Sequence, residues 1–142
     1  MSENSATATL RKCFEKHGAH VQRIEDKFTP GIPDMNICAW GVELWLEGKF
    51  IKTLPKRRTS LIRFGAKGDS RLAHQRNWIR ARRNAGGNVF IFIRIQDLGW
   101  RLLDNPATLV SGLTLLELEK LRKFATAMEL CVHLKLMLTG KK

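Results

Sequence analysis

The sequence predicts an α/β fold in which helices flank a mixed β-sheet. Three observations lead there. Two strand-like runs, over residues 34–40 and 42–51, meet at a single glycine. Residues 88–95 form a nearly continuous apolar run, as expected of a central strand covered on both faces. Residues 70–85, between them, read as a helix, so the strands on either side become parallel neighbours joined by a right-handed crossover.

The elements follow in chain order. A first helix covers residues 5–16, where Ala6, Leu10 and Phe14 share one face and Gly18 is the stop. Residues 21–27 mix apolar and charged side chains, as a short strand or an extended arm would. Thr29-Pro30-Gly31-Ile32-Pro33 must be a turn, because two prolines and a glycine exclude a helix. Gly41 then separates two strands closely enough for a tight hairpin. Residues 52–68 are a basic loop whose order would depend on a partner. Asp69 or Ser70 caps the next helix, and Gly86-Gly87 ends it. Residues 100–103 form a short edge strand. Thr114 and Glu117 make a capping box for an extra C-terminal helix that runs through Leu138. Leu115, Leu118, Leu121, Phe124 and Ala125 are its apolar stripe.

Composition narrows the function. A chain of 142 residues with 44% hydrophobic content fits one globular domain. Its 25 Lys plus Arg outweigh 13 Asp plus Glu, giving a formal net charge of +12. Such a field draws in polyanions, and nucleic acid is the expected one. Cys13, Cys38 and Cys131 form no CxxC pair, which argues against a disulfide scaffold. His17 and His20 are close in sequence, but nothing completes a zinc set, so they are expected at the surface or as caps. The polar start has no signal-peptide pattern. No run reaches the roughly 18 apolar residues a membrane span needs. Cytoplasm is the expected compartment (host cytoplasm for a phage-encoded chain), with no membrane partner.

The chemistry gathers on the hairpin. Glu47 and Lys49 are two apart on one strand, so their side chains share a face. Pairing of the strands brings Asp34 within reach of Glu47. Two carboxylates suit a hard divalent cation, and the Gly48 carbonyl is a further oxygen ligand beside them. The lysine would orient a water or offset charge developing on a phosphate. On the helix, Leu72, Gln75 and Ile79 share a face, which places Gln75 toward the strand of Lys49. Arg76, Arg80 and Arg83 occupy another face at a spacing suited to a phosphate backbone. Lys52, Lys56, Arg57, Arg58 and Arg63 of the loop are the other expected nucleic-acid contacts. The four tryptophans read as core rather than as base-stacking platforms. The absence of tyrosine removes a tyrosine nucleophile, and no G-x-S-x-G elbow supports a serine hydrolase.

Gly31-Ile32-Pro33-Asp34 followed by Trp45-Leu46-Glu47-Gly48-Lys49 resembles the signature of the PD-(D/E)xK nuclease superfamily. Within it the chain is most similar to the VRR-NUC group and its phage-encoded Holliday-junction-resolvase-like relatives. Gln22-Arg23-Ile24-Glu25, Gln75-x-x-Trp78-Ile79 and Gly86-Gly87-x-Val89-Phe90-Ile91 complete an ordered series of blocks over residues 3–103. The resemblance implies a restriction-endonuclease-like core, dependence on Mg²⁺ or Mn²⁺, and cleavage of DNA, often branched. It carries metal binding to Asp34 and Glu47, and catalysis to Asp34, Glu47, Lys49 and Gln75. It also implies an acid on the first helix, for which Glu3 is the candidate and Glu15 the second. Gly48 departs from the pattern, since relatives place an aliphatic residue there.

Residues 1–105 therefore read as the nuclease core, and 106–142 as a helical extension packed on it or at a dimer interface. A symmetric junction suits a homodimer; Leu130, Leu134, Met137 and Leu138 are candidate dimer or core residues. The competing expectations are a non-catalytic basic DNA- or RNA-binding module of the same fold, and a basic ribosome-associated protein.

Overall fold

The structure is a computed structural model that describes residues 3–25 and 28–140; the side chains of Glu3 and Asn4 lie outside the described residues. Helix α1 (Glu3–Lys16) buries Ala6, Leu10 and Phe14 on one stripe, as their four-residue spacing requires. Strand β1 (His20–Arg23) pairs antiparallel with β2 (Met35–Ala39). Trp40 and Gly41 both have positive φ (55° and 80°), forming a two-residue hairpin turn that follows the natural twist of the strands. Strand β3 (Val42–Ile51) returns antiparallel to β2.

A two-residue strand, β4 (Leu61–Ile62), lies in the basic loop. Helix α2 (Ser70–Asn84) leads to β5 (Asn88–Ile95), which pairs parallel with β3. Strand β6 (Trp100–Leu103) is antiparallel to β5. After it come α3 (Thr108–Ser111), β7 (Leu113–Thr114), α4 (Leu115–Lys120), β8 (Lys123–Phe124) and α5 (Ala127–Thr139).

Among the described residues, the main sheet has six strands in the order β1-β2-β3-β5-β6-β8, and β4 and β7 form a small second sheet. The β3–β5 pair is parallel and the others are antiparallel, so the sheet is mixed. One face carries α1 and α5, with Leu10, Phe14, Leu44, Leu46, Phe92, Leu130 and Leu134 between helices and strands. The other carries α2, α3 and α4 over Ile79, Ile91, Ile93, Leu109 and Leu118. Strand β5 feeds both cores, which explains its unbroken apolar sequence. Among the described residues, no helix is long and apolar enough to cross a membrane.

The C-terminal segment differs from expectation. In place of one helix from Thr114 to Leu138, the chain forms α4, crosses in β8, and starts α5 anew. Leu115 and Leu118 belong to one core, while Phe124, Ala127, Leu130 and Leu134 belong to the other. A straight helix cannot cover both faces of a sheet. The chain therefore passes over the edge, where β8 pairs with β6 and makes β6 an inner strand. Thr126 caps α5 by accepting from Glu129 N, and Glu129 Oε2 accepts in turn from Ala125 N at 2.8 Å. Leu130 and Leu134 are fully buried; Val132, Leu136 and Met137 are the exposed apolar residues of α5.

The basic loop is held by pairing across sequence. Besides the β4–β7 ladder, Leu115 N donates to Ser60 O and Leu116 N to Arg58 O. His17 is also less exposed than expected: its Nε2 lies 2.9 Å from Met128 Sδ, and its carbonyl accepts from Trp40 Nε1.

Candidate active site

The hairpin register decides the geometry. Met35 lies opposite Leu46, so Asp34, one residue earlier, falls beside Glu47 and Gly48. Asp34 Oδ2 accepts from Gly48 N at 2.8 Å, and its carbonyl accepts from Ile24 N at 2.8 Å. Glu47 and Lys49 point to the α2 face. Lys49 Nζ stands 3.3 Å from Glu47 Oε2 and donates to Gln75 Oε1 at 2.8 Å. Asp34, Glu47, Lys49 and Gln75 thus line one cavity of about 280 Å³, with Phe64, Asp69 and Arg71 on its far wall. Glu47 is only 2% exposed, and the adjacent ammonium compensates its burial.

Two glycines set these distances. Gly31 has φ +82°, and a Cβ on it would lie 2.2 Å from His74 O and 2.8 Å from Gln75 N. The Gly31–Asp34 turn therefore presses directly on the α2 backbone at Gln75, and only glycine permits both the conformation and the approach. Gly48 has another reason. It is in register with Phe92 on β5, whose ring fills the volume a side chain would occupy. This accounts for the departure from an aliphatic residue: Phe92 supplies that bulk from the neighbouring strand.

Burial raises the Asp34 pKa above the usual carboxylate range, against the opposing pull of Gly48 N–H, Lys49 and Arg23. Asp69 shifts the other way. Its bonds from the Arg71 side chain and backbone hold its carboxyl below the ordinary value.

The donor set fits a hard divalent cation. Asp34 and Glu47 offer carboxylate oxygens beside the same cavity. The Gly48 N–H points at Asp34, away from β5; in an extended strand the carbonyl of the same residue faces the same edge. Among the described residues, no group of three or more His, Cys, Asp or Glu converges. The Glu3 side chain lies outside the described residues. Glu15 is removed from the site. Ala6 and Thr7, in the second turn of α1, border a smaller cavity of about 120 Å³ behind Asp34, whereas Glu15 sits about 12 Å further along the axis and pairs with Arg11 at 3.4 Å. Glu25 borders that smaller cavity too, an acid of the Gln22-Arg23-Ile24-Glu25 block to which the sequence alone assigned no role.

The basic residues divide. Lys52, Lys56, Arg57, Arg63 and Arg80 are exposed, and Arg58 is exposed in an ion pair with Glu119 at 3.6 Å. Arg76 is half-buried and donates to Asn77 Oδ1. Arg83 leaves the expected phosphate-contact row. Its Nε and Nη2 donate to Val89 O at 3.0 and 2.8 Å, and its Nη1 to Asp104 O at 2.6 Å. It clamps the end of α2 to β5 and to the chain after β6, because α2 turns its last turn toward those carbonyls. Arg82 instead lies over Trp45 and Trp78, about 5 Å from each ring. Asp69, Arg71 and Arg23 are site neighbours that sequence spacing did not single out.

No protein-family model matches the sequence, and no curated protein does. Solved structures that are similar to it include two of interest. One, described as a VRR_NUC domain, shares 20% identity over 66% of this chain and 84% of its own, with a TM-score of 0.45. The other is Hjc, a Holliday junction resolvase from Archaeoglobus fulgidus, with 16% identity over 79% of this chain and 98% of its own, and a TM-score of 0.43.

Proposed function

We propose that this chain is a metal-dependent DNA endonuclease that hydrolyses phosphodiester bonds, acting on branched DNA with Mg²⁺ or Mn²⁺. The observation that carries the reading is the meeting of Asp34, Glu47, Lys49 and Gln75 at one cavity. Asp34, Glu47 and the Gly48 carbonyl would hold the ion. Bound there, the ion supplies Lewis-acid activation of the phosphate and of water.

The remaining chemistry belongs to the chain itself. The Lys49 ammonium has three hydrogens. One is donated to Gln75 and one faces Glu47, so a third remains for an attacking water or a phosphate oxygen. Gln75 fixes that orientation from α2, and the Gly31 turn fixes α2 against Asp34. The net charge of +12 and the exposed loop cations draw DNA toward the cavity. The preference for branched DNA rests on the resemblance of the ordered sequence blocks. The exposed Val132, Leu136 and Met137 of α5 are the proposed contact in a homodimer whose twofold axis would match a junction.

The test is cleavage of four-way junction, flap, single-stranded and linear duplex DNA in Mg²⁺ or Mn²⁺, with Asp34→Ala in parallel. The expected result is junction cleavage by the wild type, and its loss in Asp34→Ala with DNA binding retained. Binding without cleavage of any substrate in either metal would replace the enzyme by a binding module.

A further inference from the structure

The far wall of the cavity holds a cation whose geometry differs from every other exposed basic side chain described above. Asp69 caps α2, its Oδ1 accepting from Arg71 N at 3.0 Å. The same carboxylate grips the Arg71 side chain: Nε lies 3.2 and 3.3 Å from the two oxygens, and Nη2 is 2.9 Å from Oδ2. The Asp69 side chain is 14% exposed and that of Arg71 84% exposed, so an anchored carboxylate presents an open guanidinium. Both line the cavity with Asp34, Glu47, Lys49 and Gln75. By contrast, both partners of the Arg58–Glu119 pair are well exposed, at 72% and 45%.

A guanidinium carries five N–H hydrogens in a planar fork. Asp69 takes the Nε hydrogen and one on Nη2, leaving three in a fixed plane. That fork matches the oxygens of a phosphate, and its orientation is set before any ligand arrives. Among the described residues, the other cation lining this cavity, Lys49, is enclosed, with 12% of its side chain exposed. One positive group thus lies enclosed at the floor and one open to solvent at the mouth. We propose that Arg71, oriented by Asp69, is a phosphate-holding residue at the mouth of this cavity. Asp69 is its positioning residue. The assignment to a DNA phosphate rests on the nuclease reading, but the binding test below does not depend on cleavage.

The experiment measures binding of a fluorescein-labelled DNA duplex in Ca²⁺ as a function of salt, together with junction cleavage in Mg²⁺. The proteins are wild type, Arg71→Ala, Arg71→Lys and Asp69→Ser. For every duplex phosphate that a variant no longer neutralises, the slope of log K against log salt becomes shallower by about 0.9. Arg71→Ala should show that decrease and raise KM about tenfold. Arg71→Lys should keep the slope, since the charge remains, but recover only part of KM. Serine caps a helix as well as aspartate. Asp69→Ser should therefore keep the melting temperature while raising KM several-fold, an effect that loss of the cap cannot produce.

An unchanged slope and KM in Arg71→Ala overturns the proposal while leaving the nuclease reading intact. An effect of Arg71→Ala with none of Asp69→Ser overturns the role of Asp69. A wild type that never cleaves, yet has a shallower slope in Arg71→Ala, removes the nuclease and keeps the phosphate-holding role.

Discussion

Replacing Gly48 by alanine would place a Cβ 2.4 Å from Phe92 Cζ and 2.9 and 3.0 Å from its two Cε atoms. Carbon atoms in good contact are about 3.5–4.0 Å apart, so ring and strand must separate by about 1 Å. Phe92 cannot swing clear: it is 2% exposed, and its ring centroid is 5.7 Å from that of Trp100. Overpacking of this kind costs about 1–3 kcal/mol. At about 4 °C per kcal/mol for a domain of this size, the melting temperature should fall by about 4–12 °C. The effect reaches the site because the Gly48 N–H holds Asp34. Phe92→Leu removes the clashing atoms. Thermal and urea unfolding of the wild type, both single variants and the double variant form a cycle, expected to show about 1–2 kcal/mol of favourable coupling. Equal destabilisation by Gly48→Ala with and without Phe92→Leu would refute the steric argument.

Three further predictions rest on electrostatics and hydrogen bonding. Burial raises the Asp34 pKa, so the folded, metal-free chain binds that proton more tightly than the unfolded chain. Stability should therefore fall as pH rises from the unfolded pKa through the folded one. Asp34→Asn lacks that dependence, so its advantage over the wild type should be full at neutral pH and close on acidification. Urea midpoints against pH check this, and an advantage that widens on acidification contradicts it. Mg²⁺ affinity should fall over the same acid window, because the ion needs the anion. Arg83→Ala frees the Val89 and Asp104 carbonyls, so it should lower stability by about 1–3 kcal/mol. It should leave the salt slope of DNA binding unchanged; a shallower slope would return Arg83 to the DNA-binding row.

The features legible in the sequence were those set by neighbours along the chain. Leu10 and Phe14 marked the buried face of α1, the apolar run of β5 marked a strand between two layers, and Gly41 marked the hairpin turn. The break between α4 and α5 was less visible, because Leu121 and Phe124 continue a helical spacing. The signal that distinguishes them is the second cap, Thr126 with Glu129, and it is decisive only once the opposite core is known to need filling. The pairing of β4 with β7 had no local signature, since each is two residues long and their partners are some fifty positions apart.

The same division runs through the site. Side chains alternate along a strand and a hairpin fixes its own register, so Asp34, Glu47 and Lys49 had to approach one another through local backbone geometry alone. Folding of distant segments determined the rest. Phe92 turned Gly48 from a departure from the resembled pattern into a fitted contact, the carbonyls of Val89 and Asp104 engaged the Arg83 guanidinium, and the start of α2 brought Asp69 and Arg71 to the cavity wall. Close packing and buried hydrogen bonds depend on which segments meet in space, and spacing along one chain carries no record of that.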